Sequence, residues 1–271
     1  MNRDERRQAF PIGAEIRMAG LSANPYPLFQ RLHAEEPVTW VDEIEMWVVA
    51  RRADVQAILA DPETFTVLSP RSVLRRILGR NMLTTEGDEQ HRLRNPFSHA
   101  FAPRTVRQTM VAPIAAQAET LVERMYARGH VCLVDQFSDR LALLVLGSMV
   151  GLPIEDYDVF RGWFHDFNTA LGNFTGNPAA EERGLRAQDE FAAHVRAALN
   201  ACRRAPDGSL ISDLAARGVL SDEEIADSLR VIFFGGIETT SALLVNTVWA
   251  LLQHPAAFDR VRAARTAESS N

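Results

Sequence analysis

The sequence predicts a mainly α-helical fold with one small β-sheet, and three features carry that prediction. From Glu89 onward, segment after segment repeats apolar residues at helical spacing. Ser221-Asp222-Glu223-Glu224 is a strong helix start, a serine cap with glutamate three residues on, and the apolar run it opens is unbroken as far as Gln253, before His254-Pro255. The β-type pattern is confined to Val38–Val41 and Met46–Val49, around Asp42-Glu43-Ile44-Glu45. With 271 residues, 46% hydrophobic and 24% charged, the composition is that of an ordinary globular protein and the length suits one domain, 1–271.

In chain order, Asn24-Pro25-Tyr26-Pro27 turns into an amphipathic helix with Leu28, Phe29 and Leu32 apolar, and Pro37 stops it. The β-hairpin follows, then a helix from about Asp54 to Ala60, ended at Asp61-Pro62. Phe65–Thr85 has no clear period and reads as a long loop with a short helix, a kind of segment that often lines binding sites. Helices are then expected near Glu89–Phe101, Pro103–Ala127, Ser138–Val150, Ile154–Leu171 and Ala180–Ala201. They break at Ala102-Pro103, Gly129, Gly151-Leu152-Pro153 and between Gly172 and Pro178. Cys132-Leu133-Val134 reads as a single short strand, a last helix spans Pro255–Ala264, and the tail beyond it frays.

Composition excludes several classes. A net charge of -6 argues against a nucleic-acid partner, which selects a basic face. Two cysteines, Cys132 and Cys202, make neither a disulfide framework nor a zinc spacing. The charged N-terminus has no signal-peptide core, and Glu238 interrupts the longest apolar run, so a cytoplasmic protein with no membrane span is expected.

The chemistry concentrates in Phe234-Gly235-Gly236-Ile237-Glu238-Thr239-Thr240-Ser241. Each glycine inside a helix costs about 1 kcal/mol relative to alanine. Either another backbone packs closely there, or the helix thins to make room for a ligand. Glu238 and Thr239, read as buried, need partners. Gly235, Gly236 and Thr239 fall on one helical face, with the carboxylate just around the helix, an arrangement suited to delivering protons into a small cavity.

This segment resembles the distal-helix motif of the cytochromes P450, [Ala/Gly]-Gly-x-[Asp/Glu]-Thr-[Thr/Ser], matched by Gly235 to Thr240. Asn24–Val38, Asp61–Phe65 and Gly87–Arg104 resemble further stretches of that family in the same order. The resemblance implies that Gly235 and Gly236 leave a groove for dioxygen beside haem, and that Glu238 and Thr239 are catalytic, guiding protons. Arg94 is implied to hold a haem propionate. The family commonly has histidine four residues earlier; here that position is Gln90 and the histidine stands at His91, so both join Arg94 as candidate haem-binding residues. For His91 and Arg92 a solvated helix face is the stronger reading.

The resemblance further implies a haem monooxygenase that oxidises a small apolar organic substrate with dioxygen and two electrons from a ferredoxin, flavodoxin or reductase. Substrate choice would involve the loop around Thr66–Asn81 and the region Phe160–Phe174, whose Phe160, Trp163, Phe164, Phe167 and Phe174 form either a pocket roof or core. The family's Glu-x-x-Arg helix and cysteine-ligand loop have no match in this sequence; neither Cys132 nor Cys202 has the loop's glycine context. The expectation is therefore an incomplete P450 fold, its N-terminal two-thirds, truncated, marginally stable, inactive alone and without a metal ligand. The alternative is a non-catalytic helical binding protein derived from the same fold, which has no use for the paired glycines.

Overall fold

The computed structural model describes residues 1–127, 129–174 and 176–268. Three short helices, α1 (Arg3–Ala9), α2 (Pro11–Glu15) and α3 (Met18–Ala23), precede α4 (Tyr26–Glu35) and the hairpin of β1 (Val38–Val41) and β2 (Met46–Val49). The strands pair antiparallel from Val38 opposite Val49 to Val41 opposite Met46, and Glu45 closes the turn with φ 51°. A small core of Ile12, Ile16, Leu32 and Val41 joins α2 and α4 to this sheet. Buried Glu36 ties it together by accepting the backbone N–H groups of Ile12 (3.0 Å) and Gly13 (2.9 Å), donors that a helix N-terminus otherwise leaves unpaired.

The main body follows: α5 (Arg52–Ala60), α6 (Val73–Leu78), α7 (Gly87–Ser98), α8 (Pro103–Thr109), α9 (Val111–Tyr126), α10 (Asp139–Val150), α11 (Tyr157–Leu171), α12 (Pro178–Arg204), α13 (Leu210–Arg217), α14 (Asp222–Gln253) and α15 (Pro255–Glu268). Its core is built on α10, α11, α12 and the first half of α14, where Phe160, Phe164, Phe167, Phe191 and Phe233 interlock. Phe164 and Phe233 stack with ring centroids 6.0 Å apart. The aromatic set of α11 is therefore core; only Phe174, beyond it, is exposed.

Several expectations are corrected. Pro103–Ala127 is two helices, broken where Met110 ends one and caps the next. Cys132–Val134 is not a strand: Val134–Ser138 is a π-helical turn running into α10, with Ser138 Oγ 3.4 Å from the carbonyl oxygens of Leu133 and Val134. The last helix continues past Ala264 to Glu268, and the rest of the tail, 269–271, lies outside the described residues. The predicted start of α14 holds in detail: Ser221 Oγ accepts from Glu224 N (3.1 Å) while Glu224 Oε2 accepts from Ser221 N (3.0 Å).

The two halves of α14 differ. Ile225–Phe233 is core, whereas Leu243, Trp249 and Leu252 are exposed. The chain exposes 16988 Å² in all, against about 11,700 Å² expected for a compact monomer of its mass. By length and composition α14 could cross a membrane, although Glu238 stands near its middle.

Candidate functional site

A groove of about 560 Å³ opens between α7 and α14, lined by Met82, Leu83, Arg94, Phe97, Ser98, Phe101, Val231, Ile232 and Gly235. Its walls are apolar, with one charged group, the Arg94 guanidinium. The exposed Arg94 guanidinium makes no hydrogen bond or ion pair among the described residues, while its backbone carbonyl accepts from Ser98 Oγ at 3.2 Å. Two residues earlier on the same helix, Arg92 is fully engaged by Glu89 and Glu224, which hold its guanidinium charged. The structure thus separates two arginines that look alike in sequence: Arg92 staples α7 to the start of α14, and Arg94 is left for the groove.

The two glycines divide the two readings between them. A Cβ at Gly235 would meet nothing within 4 Å, so this glycine leaves open space in the groove wall. A Cβ at Gly236 would stand 2.7 Å from Leu146 Cδ1, so this one exists for close packing of α14 on α10. Gly236 therefore does not share Gly235's outlook, as the reading of one common face assumed. A helix advances about 100° per residue, enough to turn adjacent positions toward different neighbours.

Glu238 and Thr239 are exposed rather than buried. Thr239 Oγ1 donates to the carbonyl of Gly235, one turn back. Glu238 lies elsewhere, in a second cavity of about 220 Å³ that it shares with Asp139, Tyr157, Arg161 and His165 among others. Burial beside Asp139 pushes the Tyr157 phenol up to about 12, so it stays protonated. Asp139 accepts from Ser241, which pairs with Ser138 at 2.8 Å and pins the middle of α14 to the π-turn. Gln90 is half-buried and does not line the groove. His91 is exposed and its Nδ1 bonds the Gly87 carbonyl of its own helix at 2.9 Å.

The comparisons agree with one another. The chain is 31% identical over 261 residues to cytochrome P450-SU2 of Streptomyces griseolus, covering 91% of this chain and 62% of that protein. It is 30% identical over 233 residues to the erythromycin C-12 hydroxylase of Saccharopolyspora erythraea, covering 84% and 58%. Its fold matches P450BioI, solved in complex with an acyl carrier protein carrying hexadec-9Z-enoic acid, with a TM-score of 0.78, 26% identity and coverage of 91% and 66%. The chain belongs to the cytochrome P450 family. No family model matches it. It spans about 60% of the length of the curated P450s it matches.

Relatives in the P450 family carry haem, and the groove fits one face of that group: apolar walls, a helix thinned at Gly235 and an unengaged guanidinium for a carboxylate. The iron's thiolate has no source among the lining residues. Cys132 is exposed ahead of the π-turn, and Cys202 is buried in α12, where desolvation raises its thiol. The residue that sequence reasoning passed over is Leu146, whose contact with Gly236 no motif announces.

Proposed function

We propose that this chain, residues 1–271 read as one cytoplasmic P450-type domain, forms the dioxygen side of the haem pocket of a monooxygenase acting on a small apolar organic substrate. Haem, when bound, supplies the activation of dioxygen with two electrons taken from a ferredoxin-type, flavodoxin-type or reductase donor. Arg94 would pair with a propionate, because a guanidinium matches a carboxylate in charge and geometry. Phe97, Phe101, Val231 and Ile232 would exclude water from the ring's face. Gly235 would keep the space above it open.

Thr239, whose hydroxyl donates to the carbonyl of the groove-lining Gly235, would hold a proton for the groove. Turning that hydroxyl outward costs a neutral hydrogen bond, about 1 kcal/mol. Glu238, on the neighbouring cavity, would restore the proton from the solvent side. Gln90, one turn before Arg94 on α7 but outside the groove's lining, would lend at most a neutral donor. His91 stays committed to Gly87 and contributes least.

One observation carries the reading: among the described residues, the charged group lining the groove is the unpaired guanidinium of Arg94, and the same groove is lined by Gly235, where a Cβ would meet nothing within 4 Å. Hemin titrated into the purified chain, followed by absorbance and tryptophan fluorescence, tests it. Saturable binding is expected, weakened roughly tenfold or more in Arg94→Ala and abolished in Gly235→Leu. Equal binding by all three proteins would overturn the reading.

A further inference from the structure

About one and a half to two and a half turns ahead of its glycines, α14 grips a different segment. Asp227 Oδ2 accepts the backbone N–H of Arg80 at 2.7 Å. Arg230 is 1% exposed; its Nη1 donates to Asp227 Oδ1 (2.7 Å) and to the Leu78 carbonyl (2.9 Å), and its Nη2 to the Gln188 carbonyl of α12 (3.4 Å). The pair thus holds the turn at both ends. Gly79, between them, has φ +80°, and a Cβ there would lie 2.1 Å from Asp227 Oδ2.

The segment beyond is tied to itself. Asn81, wholly buried, donates from Nδ2 to the Leu78 (3.0 Å) and Gly79 (3.2 Å) carbonyls, and its Oδ1 accepts the Leu83 N–H (2.9 Å). Thr84 Oγ1 donates to the Gly79 carbonyl and accepts the Asn81 N–H, each at 3.0 Å. Thr85 Oγ1 donates to the Asn81 carbonyl at 2.9 Å. Between these buried polar residues stand Met82 and Leu83, which line the groove together with Val231 and Ile232, the residues that follow Arg230.

Resting on the reading of the groove as the binding site, we propose that Asp227 and Arg230 are positioning residues that lock segment 78–85 into a preformed groove wall, fixing where Met82 and Leu83 stand. The segment is then a wall and not a closing lid. Desolvation pushes the Asp227 carboxyl up and the Arg230 guanidinium down, so the buried charges are held against their surroundings. Apolar residues could fill the same space at equal or better stability. They could not aim at two backbone groups of one turn.

Trypsin digestion of the full chain, with the same proteins titrated with hemin, tests this. Segment 78–85 contains one arginine, Arg80, while Arg186 and Arg196 on α12 report global loosening. In Asp227→Asn, Arg230→Met and Gly79→Ala, cleavage after Arg80 is expected to rise about tenfold while cleavage in α12 does not change. Arg230→Lys keeps the charge but loses the fork, and is expected to behave like Arg230→Met. Hemin affinity should fall in each variant that cleaves faster. Should Arg230→Met not fold, Gly79→Ala attacks the same tether from the loop side.

Unchanged cleavage after Arg80, or an equal rise in α12, overturns the inference. So does faster cleavage with undiminished hemin affinity. A wild-type chain that takes no hemin defeats the reading of the groove instead, and the protease pattern then decides the wall by itself.

Discussion

Gly236 of α14 lies against Leu146 of α10 so closely that a Cβ on it would stand 2.7 Å from Leu146 Cδ1, while Gly235, one residue earlier, faces open space. The same substitution should therefore act oppositely at the two positions. Gly235→Ala gains helix propensity at no steric cost, about 1 kcal/mol, and should raise the melting temperature by about 2–4 °C. Gly236→Ala gains as much but overpacks a buried leucine, which costs about 1–3 kcal/mol. It should come out neutral or destabilised. Thermal melts of the two variants check this, and a lower melting point for Gly235→Ala would mean that its side of the helix is packed.

Ser241 joins the middle of α14 to the π-turn through Ser138 and Asp139. Replacing it with alanine takes the donor from one Asp139 oxygen and the nearest partner from the Ser138 hydroxyl, which is left with the Leu133 and Val134 carbonyls at 3.4 Å. Ser241→Ala should therefore lose about 1–3 kcal/mol in urea unfolding. Thr240→Ala, on the exposed side of the same turn, should stay near wild type.

Acid should weaken the chain through its paired carboxylates. The hydrogen bond from Arg92 lowers Glu224 and Glu89, and that from Arg203 lowers Asp222. A lowered carboxylate contributes stability that is complete above its unfolded value, 4.5 for glutamate, and lost as pH falls through its folded value. Asp227, raised by desolvation, runs the other way and softens the loss. Glu224→Gln keeps the capping geometry and removes only the charge. It should melt below wild type at neutral pH, with the gap closing as pH falls below 4.5.

The described cysteines should not ligate iron. In the reduced, carbon monoxide-treated hemin complex of this chain, the red-shifted Soret band of thiolate ligation should be absent, and Cys132→Ser and Cys202→Ser should leave the spectrum unchanged. A thiolate-type band lost in one of these variants would assign that cysteine as a ligand against its present placement.

Much of the architecture was legible before any coordinates. The boundaries of α14 follow from Ser221 and Glu224 at one end and His254-Pro255 at the other, because capping and proline chemistry act within a few residues. The hairpin follows likewise from two short β-branched runs around a polar turn. The motif from Gly235 to Thr240 named the family on local pattern alone. The three helices before Tyr26 and helix Leu210–Arg217 escaped because each is short, and a few residues give periodicity little to register.

What the sequence by itself determined is the helical class, the extent of the long helix and the identities of its glycines, acid and hydroxyls. Which glycine packs and which stays open, and which arginine is engaged and which is free, only the tertiary structure decided. Those outcomes depend on Leu146, Glu224 and Leu78, residues 90 or more positions away along the chain from Gly236, Arg92 and Arg230 respectively. Packing and charge pairing act through space over a few ångströms, and no local pattern encodes which distant side chain will arrive there.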